Sequence, residues 1–168
     1  MKKIGLFCGT STHKTASVAK KIQKAFGEDR VELVSIEEAW QNDFESYDFI
    51  IAGVATWFDG ELPTYWDEII PKLLTLKLNN KKVAIFGLGD QVKYPDNFVD
   101  GIGILSNAFI TTGATIVGFT SSEGYQFNKS QALIGNRFAG LALDVENQRD
   151  KTDKRIEDWV EDLKKEFQ

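Results

Sequence analysis

Cysteine and histidine are almost missing from this chain: its 168 residues contain one of each, Cys8 and His13. A single cysteine excludes an intramolecular disulfide and any cysteine-held metal or iron–sulfur cluster. A single histidine argues against a zinc centre and against a Ser-His-Asp triad. Basic charge is outnumbered, with 20 Lys and Arg against 25 Asp and Glu and a net charge of −5. That balance gives no footprint for nucleic acid and favours partners with basic faces. No apolar run reaches the eighteen residues of a membrane span. The first apolar stretch, Ile4 to Cys8, is too short for a signal h-region and has no small-residue cleavage site, so a cytoplasmic location is expected. Prolines number three, and no linker, repeat or low-complexity segment interrupts the chain. One domain over residues 1–168 is expected at this length. The hydrophobic content of 42% is ample for its core.

Five segments read as buried strands: Lys3 to Cys8, Val31 to Ile36, Phe49 to Thr56, Val83 to Gly87 and Thr115 to Phe119. Most are near-continuous apolar runs, as parallel strands covered on both faces require. Helical patterns lie between and after them. Thr15 to Phe26 puts Val18, Ala19, Ile22 and Phe26 on one stripe, with lysines opposite. Leu62 to Leu74, Phe98 to Phe109 and a last helix from about Thr152 repeat the pattern, Thr152 being the expected N-cap. Alternating strands and helices predict an open, doubly wound α/β sheet. Residues Thr120 to Gly140 break the rhythm. They are polar, aromatic and aperiodic, and read as an insertion of roughly 20 residues in the last strand.

Ligands of such sheets bind beyond the carboxyl ends of the strands. After the first strand stands Gly9-Thr10-Ser11-Thr12-His13-Lys14-Thr15, running straight into a helix. Its hydroxyls, with exposed amides at a helix N-terminus, suit a phosphate. It lacks the second glycine of a Walker loop and the spacing of a dinucleotide fingerprint. A hydroxyl-rich loop that merely caps the helix is the other reading. The third and fourth strands run into Thr56-Trp57-Phe58-Asp59-Gly60 and Leu88-Gly89-Asp90-Gln91-Val92-Lys93-Tyr94-Pro95-Asp96-Asn97. Each carries a large aromatic just past the strand, and two such rings can sandwich a flat heterocycle.

Those three loops in that order, with Gly60-Glu61-Leu62, Tyr94-Pro95-Asp96-Asn97-Phe98, Leu143-Asp144 and Trp159-Val160, resemble the flavodoxins over essentially the whole chain. The insertion makes it similar to their long-chain group. The resemblance implies a flavodoxin-like, five-stranded parallel sheet of order 2-1-3-4-5 with FMN at its switch point, a topology taken over from the family. It implies that the FMN phosphate binds among Thr10, Ser11, Thr12, His13, Lys14 and Thr15. Trp57 would cover the inner face of the isoalloxazine and Tyr94 the outer. Backbone groups from Phe58 through Asp59 and Gly60 would meet flavin N5, with Leu88, Gly89 and Asp90 at the pyrimidine end, Asn97 on the rim, and Thr56 also among the cofactor-binding residues. His13 and Phe58 depart from the family pattern, which often has glycine and a small or polar residue there.

The resemblance further implies a monomeric, low-potential one-electron carrier with noncovalent FMN, not an enzyme. Its implied partners are ferredoxin/flavodoxin-NADP reductase, pyruvate oxidoreductase-like or nitrogenase-like proteins. Asp59, Glu61, Asp67, Glu68, Asp90, Asp96, Asp100, Asp144 and Glu146 are expected around the site. One carboxylate about 10 Å away, at an effective dielectric of roughly 40, contributes ~0.8 kcal/mol against an anionic reduced flavin. Two other classes remain in view. An FMN-dependent quinone or nitro reductase would need an NAD(P)H site, and none is evident. A flavin-free signalling module such as a receiver domain would need acidic residues at the end of the first strand, where the chain has Leu6-Phe7-Cys8-Gly9.

Overall fold

The computed structural model describes residues 3–10 and 12–168. A parallel sheet is built from β1 (Ile4–Cys8), β2 (Val31–Ser35), β3 (Phe49–Ala55) and β4 (Lys82–Leu88), completed by β5 (Thr115–Val117) and β9 (Leu141–Leu143). Its order is β2-β1-β3-β4-β5, as expected. The fifth position is a strand in two halves. β5 pairs with Lys82 to Ala84, and β9 pairs with Phe86 to Leu88 of the same neighbour. Between the halves, β6 (Thr120–Ser121), β7 (Leu133–Ile134) and β8 (Arg137–Phe138) form a small antiparallel sheet of order β6-β8-β7. The large sheet therefore survives the insertion.

The apolar runs divide by alternation. Ile4, Leu6, Ile51, Ala84 and Phe86 pack under α1 (His13–Phe26) and α4 (Thr152–Glu166). Phe7, Ile50, Ala52, Val54, Val83 and Ile85 face the other layer, of α2 (Thr64–Leu73) and α3 (Asp100–Thr111). Period-two alternation within continuous apolar strands is what two covered faces demand.

Several boundaries differ from expectation for local reasons. The strand expected to reach Phe119 stops at Val117, because Gly118 takes φ +80°. There the Trp159 indole donates to the Gly118 carbonyl at 2.9 Å. α2 starts at Thr64, with Pro63 just outside it. α3 starts at Asp100, because Val99 is left-handed at φ 47°. A 3-10 turn, Gln41–Ser46, was not expected; it drives Phe44 onto Phe7, with ring centroids 4.2 Å apart. Thr152 is not the cap of α4. A 3-10 turn, Arg149–Lys151, leads into the helix, and the buried Thr152 hydroxyl has no partner among the described residues.

Candidate functional site

The loops after β1, β3, β4 and β9 enclose a cleft of about 800 Å³, a size typical of small-molecule sites. At one end lies the N-terminus of α1, with no acidic residue in its first turn. Thr12 adjoins the helix but its side chain caps nothing. The hydroxyls of Thr12 and Thr15 are buried, and neither has a well-formed hydrogen bond among the described residues. Buried hydroxyls are rarely left unpaired, so two of them beside a helix N-terminus suit a bound acceptor. The cap reading of the loop thus fails at Thr12. His13 and Lys14 also line this end. The Lys14 ammonium reaches across to pair with Glu146, on the loop after β9. Thr10 does not line the cleft: its N–H and hydroxyl donate to Glu37 at 3.0 and 2.7 Å. Ser11 lies outside the described residues.

Tyr65 links this end to the next loop. Its ring occupies the space that a Cβ on Gly9 would need, so only glycine fits there. Burial pushes the pKa of its hydroxyl up, while its interaction with the neighbouring Thr12 side chain works the other way. Its ring also meets Trp57 edge-on, with centroids 6.2 Å apart and planes at 83°. Trp57 and Thr56 line the cleft. Thr56 is held by its N–H donating to the Leu88 carbonyl, and its hydroxyl accepts from the Gly101 N–H at 3.0 Å. Trp57 is fixed by reciprocal backbone bonds with Glu61, at 2.8 and 2.7 Å. The tip between them carries Phe58, Asp59 and Gly60, none of which lines the cleft wall. Phe58 is 64% exposed at φ 45°, an uncommon conformation for a bulky residue. Gly60 takes φ +91°, and a Cβ there would stand 2.7 Å from an Asp100 oxygen.

Leu88, Gly89, Asp90 and Tyr94 form the wall after β4. Asn97 turns away, its amide donating to Asp100 at 3.1 Å. Asp90 ties its own turn by accepting from the N–H groups of Val92 and Lys93, at 3.1 and 2.8 Å, and from the Asn147 amide at 2.7 Å. Desolvation works against the charged carboxylate, but these donors outweigh it and hold the pKa below the usual value of 3.8. A depressed pKa means stabilisation that is present above the unfolded value and is lost as pH falls through the folded one. The stability gap between the parent and Asp90→Asn is therefore expected to close as pH drops below 3.8. Paired thermal melts from pH 3 to 7 check this, and a pH-independent gap would count against the charge-assisted turn.

The acidic rim is graded: Asp59, Glu61, Asp67, Glu68, Asp96 and Glu146 are exposed, Asp90 is half-buried, and Asp100 and Asp144 are buried. Asp100 accepts from the Gln131 N–H as well as from Asn97. The insertion lines none of the cleft, but it braces the Tyr94 loop. The N–H groups of Asn128 and Lys129 both donate to the Pro95 carbonyl, at 2.7 and 3.0 Å.

A family model described as flavodoxin matches residues 6–159. The chain belongs to the flavodoxin family. It is 48% identical to a flavodoxin of Nostoc sp. over 166 residues, covering 99% of this chain and 98% of that one. To the flavodoxin of Synechococcus elongatus it is 47% identical over 168 residues, covering 99% of each. Among solved structures, Fusobacterium nucleatum flavodoxin bound to flavin mononucleotide superposes with a TM-score of 0.94. The identity there is 32%, and all of both chains is covered.

Three further residues complete the wall of this flavodoxin cleft: Ala55, Lys93 and Val145. The Lys93 ammonium stands 5.6 Å from the centre of the Tyr94 ring, a cation–π contact that steadies the aromatic. Nothing in the pattern marks Lys93, since lysines abound on any surface. Val145 was findable by the strand-end rule, because it follows the second half of the split strand.

Proposed function

We propose that the chain binds one FMN noncovalently in this cleft and carries electrons singly between redox proteins in the cytoplasm. The observation that carries the reading is the pair of buried hydroxyls, Thr12 and Thr15, with no well-formed hydrogen bond among the described residues, at the α1 N-terminus of a cleft that also holds Trp57 and Tyr94. A phosphate supplies an acceptor for those hydroxyls, and the helix dipole favours its charge. His13 and Lys14 add donors at the same end. Trp57 and Tyr94 hold the flat ring between them, with the backbone of Leu88, Gly89 and Asp90 at its polar edge. The Phe58 to Gly60 tip stands outside the cleft wall. FMN supplies the one-electron chemistry when bound, while the protein supplies position and electrostatics. The exposed carboxylates suit reductases and oxidoreductases with basic docking faces, such as those of the ferredoxin/flavodoxin-NADP reductase, pyruvate oxidoreductase-like and nitrogenase-like classes.

Titration of the apoprotein with FMN is expected to quench flavin fluorescence at one equivalent, with riboflavin binding more weakly and FAD not at all. Equal affinity for riboflavin and FMN would remove the phosphate from the argument. Failure to take up FMN would remove the function.

A further inference from the structure

We propose that Tyr65 is a positioning residue for FMN, holding the stacking tryptophan and the phosphate loop in place without lining the cleft itself. The inference rests on the FMN reading and goes beyond it. Tyr65 stands in the first turn of α2. The next residue, Trp66, is fully buried and donates its indole N–H to the Gly53 carbonyl of β3 at 3.0 Å. The helix start is thereby pinned to the sheet, so the fold, and not the loops it meets, places Tyr65. Its ring makes two contacts that belong to different loops. One is with Trp57, edge-on, with centroids 6.2 Å apart and planes at 83°. The other is with Gly9, at the start of the phosphate loop, where the ring fills the space of a Cβ. Its hydroxyl neighbours the side chain of Thr12, which lines the cleft.

Two roles are open to an aromatic in that place. It could be a third ring against the flavin, or it could steady the residues that touch the flavin. Geometry decides for the second. Tyr65 does not line the cleft, whereas Trp57 and Thr12 do. Glycine at position 9 is what lets the ring close on the backbone of the loop. One flat side chain on a pinned helix thus limits the freedom of the tryptophan and of the phosphate loop before a ligand arrives. Such preorganisation raises affinity by lowering the ordering cost of binding.

Tyr65→Ala is expected to weaken riboflavin about fivefold, within the range of a lost edge-on aromatic pair. FMN also uses the phosphate loop and should weaken about twentyfold, because the ligand must then order that loop as well. Tyr65→Phe keeps the ring and should bind both ligands within about twofold of the parent. In a Trp57→Ala background, Tyr65→Ala should change riboflavin by less than about twofold, since both substitutions act on one contact, yet still weaken FMN. Urea unfolding of the apoproteins reads the fold. If Tyr65→Ala does not fold, Tyr65→Leu, which keeps apolar bulk without a flat ring, carries the same comparison. Unchanged FMN binding in Tyr65→Ala, equal losses for FMN and riboflavin, a Tyr65→Phe variant as weak as Tyr65→Ala, or additivity with Trp57→Ala for riboflavin would each overturn the role of Tyr65. A parent that takes up no FMN would overturn the flavin reading itself. A parent that binds FMN while Tyr65→Ala binds it equally well would overturn only the role of Tyr65.

Discussion

Asp144→Ala is expected to cost about 2–6 kcal/mol of stability, because it strands two buried donors worth about 1–3 kcal/mol each. Asp144 is 0% exposed, and its oxygens accept from the Gln91 N–H at 3.1 Å, the Gln91 amide at 2.7 Å and the Asn147 N–H at 3.0 Å. The Asn147 amide adds a bond of 2.9 Å to the same carboxylate. Gln91 is itself buried, so its two donors find no water when the carboxylate goes. Asn147 is exposed and can be resolvated, which limits the loss. Asp144→Asn should cost less, since one oxygen still accepts from Gln91, but its new amide opposes the donors of Asn147. Urea unfolding of the three proteins should rank them parent, Asn, Ala. The carboxylate also joins the loops after β4 and β9, both of which line the cleft, so FMN affinity should fall in the same order. A stable Asp144→Ala variant with parental affinity would show that these loops hold themselves.

The parts of the fold that were legible are those where one force dominates. Continuous apolar runs such as Phe49 to Ala55 declare a strand covered on both faces, and the order of strands and helices follows. The illegible parts depend on contacts distant in sequence. Phe44 looks like any loop aromatic until Phe7 is found to stack on it. Val99 is an ordinary helix residue by pattern, yet the close packing of Gly89 against it accompanies a left-handed backbone that delays α3. The same division runs through the site. The hydroxyl loop and the two aromatics stand out because their residue types are unusual just past a strand. Thr10 is indistinguishable from Thr12 in the sequence, and only the register of β1 on β2 turns it toward Glu37. The insertion reads correctly as an excursion outside the cleft. Its bonds to Pro95 are main-chain bonds, which no side-chain pattern announces.

Trp57→Ala is expected to weaken FMN by ~1–3 kcal/mol, the cost of losing an aromatic stack on a base. That is about 5- to 150-fold in affinity. Fold stability should change little by comparison, because Trp57 is only half-buried and the reciprocal bonds to Glu61 are made by backbone that alanine retains. Tyr65 would lose its edge-on partner, but the fit of its ring over Gly9 remains. Tyr94→Ala should weaken FMN too. Its loop stays anchored through Asp90 and through the insertion's bonds to Pro95, so the effect should report the ring and not the loop. The ligand series separates these substitutions from those at the phosphate end. Loss of a stacking ring acts on the isoalloxazine, so Trp57→Ala should weaken riboflavin by nearly the same factor as FMN. A loss at the phosphate end, as in Thr12→Val, should spare riboflavin. Fluorescence titrations of both variants with both ligands supply the comparison. If Trp57→Ala weakens FMN but leaves riboflavin unchanged, the tryptophan serves the phosphate loop through Tyr65, and the ring is held by something else.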